Sequence, residues 1–169
     1  MTWIGLYPWL LVFHVLCVLA FVAIHGVSMG VWWRVRRERD RTRLIPLLEL
    51  SAAAITPMGV AGLLLILSGI LAGVAGGMWF NGQWWLWVSI GLLVVIVGVM
   101  TPLVAIPMTG MRRGLGIPSA ADAKAGTVPE PVDDAVLDSL LDDRRPLIGG
   151  TVAIAGIVLI TWLMESKPF

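Results

Sequence analysis

The sequence predicts an all-α protein, a four-helix transmembrane bundle with both termini outside and a short cytoplasmic amphipathic helix between spans three and four. Three observations predict it. Of the 169 residues, 58% are hydrophobic and only 14% are charged, whereas soluble domains carry about 25% charged residues. Four apolar runs are each long enough to cross about 30 Å of hydrocarbon at about 1.5 Å per helical residue. The twelve Lys and Arg residues fall almost all on one side of the path those runs impose.

The spans are read at residues 8–32, 55–78, 85–107 and 147–164. Each must be helical, because a lipid-facing segment has to satisfy its own backbone hydrogen bonds, and no alternating barrel pattern occurs. Residues 1–169 make one integral membrane domain, with a cytoplasmic connection at 112–146. The first run is too long for a secretory leader and no basic residue precedes Arg34, so it reads as a permanent span.

Orientation follows from the basic residues. Six arginines lie between Arg34 and Arg43, Arg112 and Arg113 follow span three, and Lys124, Arg144 and Arg145 precede span four. Lys167 alone stands on the other side. The chain is expected on this basis to have its basic side inside and both termini outside. Trp3, Tyr7, Trp9, Trp79, Trp84, Trp85, Trp87 and Trp162 gather at the outer boundary, around a short loop, Asn81-Gly82-Gln83. Trp32 and Trp33 mark the inner boundary. Indole rings prefer that headgroup level.

Prolines and glycines shape the spans. Pro57 should kink the second helix near Ala53, and Pro102 and Pro107 should do the same to the inner end of the third. Gly69, Gly73 and Gly77, with Gly26 and Gly30, form small-xxx-small units that let helix backbones approach closely. Their expected use is packing span one on span two, with homodimerisation as the alternative.

The connection is read in two parts. Ser119 to Pro131 has the small residues and prolines of a linker. From Val132 to Asp143, Val132, Val136, Leu137, Leu140 and Leu141 share one helical face, and Asp133 and Asp134 occupy the first turn, where negative charge is favoured. Residues 111–146 carry five basic and seven acidic side chains, and the Arg34–Arg43 loop carries six and two. The acidic helix is expected at the inner surface against that basic loop, with Val136, Leu137, Leu140 and Leu141 as candidate partner-binding residues.

Chemistry has few carriers. His14 and His25 are eleven residues apart, close to three full turns, so both leave one face of span one about 16 Å apart along its axis. Ionisable groups within a membrane face the bundle interior or a cavity. The two histidines are therefore candidate ligands of a haem b, or members of a proton relay. The alternative is an imidazole hydrogen-bonded to the next helix through Ser68, Ser89, Thr101 or Thr56. No second helix holds a histidine, so a second axial ligand would be Met58, Met100, Met108 or a histidine of another copy of the chain, or be absent. His14 with Cys17, or His25 with Met29, has the donors for Cu(I). A single cysteine excludes an internal disulfide and multi-cysteine metal frameworks. No phosphate loop, paired carboxylate or nucleophile motif occurs, and no charged residue lies within a span core. A net charge of +1 gives no footprint for nucleic acid.

The segments FHVL, HGVSMG and RRERD, with the kinked second span ending in SGI and the Arg-flanked exit of span three, resemble DUF2269-type four-helix membrane proteins. These are similar in turn to copper-resistance-D-like proteins and the bacterial membrane protoporphyrinogen oxidases. The resemblance runs to about residue 115. It implies a haem-ligating role for His14, the position that matches the oxidases' span-one histidine. Three function classes follow: a non-catalytic subunit or anchor that contacts membrane lipid and other membrane subunits or a second copy, a haem-binding redox or sensing protein, and a small transporter. The absence of charge in the span cores counts against the last.

Overall fold

A computed structural model describes residues 3–79 and 83–168, with side chains described from residue 5 onward. Asn81 and Gly82 of the expected outer loop lie outside the described residues. The chain is all-helical there: α1 (Trp3–Val35), α2 (Arg41–Ala53), α3 (Ile55–Ala75), α4 (Trp84–Met100), a π segment (Thr101–Ala105), α5 (Ile106–Gly114), α6 (Ala120–Ala125), α7 (Asp134–Leu141) and α8 (Arg145–Ser166). Four helical stretches are long and apolar enough to cross a membrane. They are Gly5–Val35, Arg41–Ala75, Trp84–Gly114 and Asp134–Ser166.

The irregularities have identifiable causes. Pro57 has no N–H to give the carbonyl of residue 53. The helix breaks one residue later at Ala54, whose N–H turns back to Leu50 at 3.2 Å, and α3 restarts with Met58 bonding Ala54 at 3.0 Å. Pro102 and Pro107 widen the next span to a π turn instead of ending it: the Ile106 N–H reaches back five residues to the Thr101 carbonyl. The helix then runs on through Arg112 and Arg113 to Gly114. It stops where Gly116 takes φ +78 and the Ile117 N–H bonds the Arg112 carbonyl at 2.9 Å.

The expected linker is not featureless. Ser119 and Asp122 form a reciprocal capping box that starts the short helix α6. Helix α7 starts at Asp133, whose carboxylate accepts the Val136 N–H at 2.8 Å.

The long helices associate in pairs. Helix α1 packs along α3, and α4 packs along α8. Among the described residues, neither α1 nor α3 packs along α4, and α3 does not pack along α8. One end of the structure joins the pairs through a compact core. There Val31, Val35, Leu44, Leu48, Met111, Leu115, Leu137 and Leu141 cluster, with Val35, Leu44, Leu48 and Met111 fully buried.

Candidate functional site

The glycines show how the pairs close. A Cβ on Gly69 would stand 3.0 Å from the His14 ring, and one on Gly76 would stand 2.8 Å from Tyr7. These glycines set α3 against α1. In the other pair, a Cβ on Gly156 would meet Ile96 at 2.3 Å, and one on Gly149 would meet Val104 at 2.6 Å and Leu103 at 3.0 Å. Gly73 is covered by the Trp79 indole, at 2.7 Å from a notional Cβ. Gly77 does different work: with φ +65 it ends α3, and the Met78 N–H bonds the Gly73 carbonyl at 3.0 Å. Gly26 and Gly30 have nothing within 4 Å of a Cβ position, so these two do not close α1 on α3. Spacing announces that backbones can approach, and the facing element decides whether they do.

His14 is the polar link between α1 and α3. It is only 7% exposed, and its Nδ1 lies 3.1 Å from the Leu65 carbonyl and 3.0 Å from Ser68 Oγ. The Leu65 oxygen can only accept, so its contact with Nδ1 is a hydrogen bond in the tautomer that carries the proton on Nδ1. Ser68 Oγ itself donates to Leu65 at 3.0 Å. Of the four hydroxyl residues that composition offered to an imidazole, Ser68 is the one His14 meets. Ser89 instead donates to the Trp85 carbonyl at 2.8 Å within its own helix.

His25 stands apart from this link. It is half-buried, stacks on Phe21 at 6.2 Å between ring centroids, and its buried Nε2 has no hydrogen-bond partner among the described residues. Met29 leaves it for the other pair, its thioether lying against Gly150 of α8. Cys17 is a buried free thiol beside an apolar cleft of about 560 Å³ that reaches Thr56 and Pro57. Among the described residues no three His, Cys, Asp or Glu side chains gather as a metal site would require.

At the joined end, charge is organised by contact. Arg39 pairs with Asp138 at 3.2 Å and Asp142 at 2.9 Å, and Arg41 pairs with Asp134 at 2.7 Å. Arg41 also donates to the Val132 carbonyl at 2.6 Å. The basic loop thus touches the acidic helix directly. Leu137 and Leu141 are buried in the shared core, Leu140 packs at its edge, and Val136 remains 44% exposed. Most of the face singled out in α7 is therefore covered by this chain itself. Arg112 crosses to α2 and donates to the Leu48 carbonyl at 3.1 Å.

Several carboxylates here are held acidic. Hydrogen bonds from Thr42 lower Asp40, those from Ser119 lower Asp122, and that from Arg145 lowers Asp143. The features that sequence reasoning missed are the Arg112 bridge and the Ser119–Asp122 box. The box is visible as Ser-x-x-Asp, but the small residues around it read as linker.

No family model matches this chain, and no curated protein or solved structure matches it.

Proposed function

We propose that this chain is a multi-pass protein of a bacterial inner membrane, with both termini outside, acting as a non-catalytic subunit or anchor within a larger membrane complex. One observation carries the reading. The two helix pairs are joined at one end and do not pack along one another, while α1 presents an open small-residue strip at Gly26 and Gly30. Helices in lipid gain little from apolar contact alone, and small residues matter where another backbone comes close. A helix from a partner, or from a second copy, fits that strip and the space between the pairs. The one-sided arginines support the orientation, with the joined end inside. The short motifs that resemble those of DUF2269-type proteins support a place beside that family.

Purification in mild detergent after cross-linking tests the reading. A stoichiometric membrane partner or a dimer is expected, and Gly30→Leu should weaken it. Recovery of an intact monomer alone, with or without that substitution, would overturn it.

A second reading rests on His14. An Nδ1–H fixed by a backbone carbonyl is the arrangement that prepares Nε2 to ligate a metal. Haem b held through that nitrogen would supply redox chemistry. Its test is an absorption spectrum of the purified protein, and a missing Soret band after expression with excess haem would dismiss it.

A further inference from the structure

The five arginines from Arg36 to Arg43 fall into two groups. Arg39, Arg41 and Arg43 each have a carboxylate partner. Arg36 and Arg37 have none among the described residues. Their guanidinium groups lie instead over indole rings, Arg36 at 5.0 Å from the Trp32 ring and Arg37 at 5.7 Å from the Trp33 ring. Stacking of this kind holds a guanidinium in place and leaves its N–H donors free at the edge.

Those four residues and Leu147, near the start of α8, line one small cleft of about 220 Å³. Trp32 is only 3% exposed, and its buried Nε1–H has no acceptor among the described residues. A buried donor without an acceptor is uncommon in a folded protein and marks a place where a bound group could supply one. The cleft therefore brings together two cations without carboxylate partners and an apolar wall, and the residue that carries the unmet N–H lines it. It also lies where the helical stretches pass from apolar residues to arginines.

We propose that this cleft binds the phosphate of an anionic phospholipid headgroup. Arg36 and Arg37 donate to the phosphate oxygens, and the Trp32 Nε1–H supplies a third donor. Leu147 and the indole of Trp33 meet the glycerol and upper acyl region. A free phosphate shares the anionic chemistry, but it has no use for the apolar wall, and a choline headgroup brings a cation towards two arginines. This rests on the reading that the four long helices cross a bilayer, and it adds a specific lipid to it.

The test is native mass spectrometry and thermal unfolding of the full chain in neutral detergent. The probes are dioctanoyl phosphatidylglycerol, dioctanoyl phosphatidylcholine and inorganic phosphate. Saturable binding of the phosphatidylglycerol is expected at a single site. The double variant Arg36→Gln/Arg37→Gln should weaken it about tenfold or more by removing both charge-assisted contacts. Trp32→Phe, which keeps the ring and removes the N–H, should weaken it by a smaller factor. Arg113→Gln, whose side chain pairs with Asp122, should leave it unchanged. Equal binding of phosphatidylcholine or of inorganic phosphate would overturn the proposal, as would unaltered binding in the double variant and in Trp32→Phe. Protein that stays in alkali-washed membranes but shows no saturable lipid overturns the site alone. Protein released by that wash overturns the membrane reading with it.

Discussion

Helix α7 offers a direct contest between apolar burial and charge. Leu137 is 3% exposed and Leu141 is 1% exposed, both within the joined-end core. The three ion pairs from Arg39 and Arg41 reach the same helix, but their acidic partners are 55%, 65% and 89% exposed. Truncating a buried leucine to alanine costs about 2–5 kcal/mol. Solvent-exposed pairs contribute about 0.2–1 kcal/mol each, less in salt. Apolar contact should therefore dominate the docking of α7. Leu141→Ala should raise the opening of α7 about thirtyfold or more, at about 1.4 kcal/mol per factor of ten. Arg39→Gln/Arg41→Gln, which removes three such pairs and the Arg41 bond to the Val132 carbonyl, should raise it less. Hydrogen exchange at the amides of Leu137 and Asp142, which bond Asp133 and Asp138 within the helix, reads the opening in detergent. Opening of α7 by the arginine double variant as far as by Leu141→Ala, or by about 0.5 M salt in the unaltered protein, would refute the dominance of apolar contact.

Other predictions concern the helix pairs and their ends. Ser68→Ala should lower stability by about 0.6 kcal/mol, the average for a side-chain hydrogen bond between membrane helices, since His14 keeps its bond to Leu65; unfolding in mixed micelles measures it. Gly149→Ala should destabilise more than Gly150→Ala, by about 1–3 kcal/mol. The new methyl at 149 meets Val104 and the Leu103 Cβ, while at 150 it meets only the end of the flexible Met29 side chain; equal unfolding midpoints would refute this. Folding lowers the carboxyls of Asp40, Asp122 and Asp143 below their ordinary value of 3.8. Their contribution is then complete above that value and is lost as pH falls through the lower folded values. Hydrogen exchange between α5 and α8 should thus accelerate as pH drops below about 4, after correction for intrinsic rates, and Asp122→Asn should reduce that acceleration.

Much of the architecture is legible in the sequence because its causes are local. Apolar length marks the four membrane-capable stretches, and the missing N–H of Pro57 places the break within a residue of Ala54. The same logic at Pro102 and Pro107 locates a distortion but not its form, because a helix can end at a proline or widen around it. Less is legible in the site. A bond from His14 to the next helix is one of the alternatives the sequence allows, and Ser68 is among its four candidate partners. Gly69 and Gly26 look alike in sequence, yet of the two only Gly69 meets another helix, since nothing in the spacing encodes what lies opposite. Val136, Leu137, Leu140 and Leu141 share a helical face, but periodicity cannot tell a face covered by the chain itself from one open to a partner.

The fully buried core at the joined end has a thermal consequence. On the proposed topology it lies beyond the hydrocarbon, so water drives its closure, whereas the helix pairs inside the bilayer rely on close packing and hydrogen bonds. Water-driven burial weakens on cooling. The protein is thus fastened by two kinds of joint with opposite responses to cold. Near freezing, the clasp around Leu44, Leu48 and Met111 should loosen first while α1 and α3 stay together, freeing the two hairpins to part.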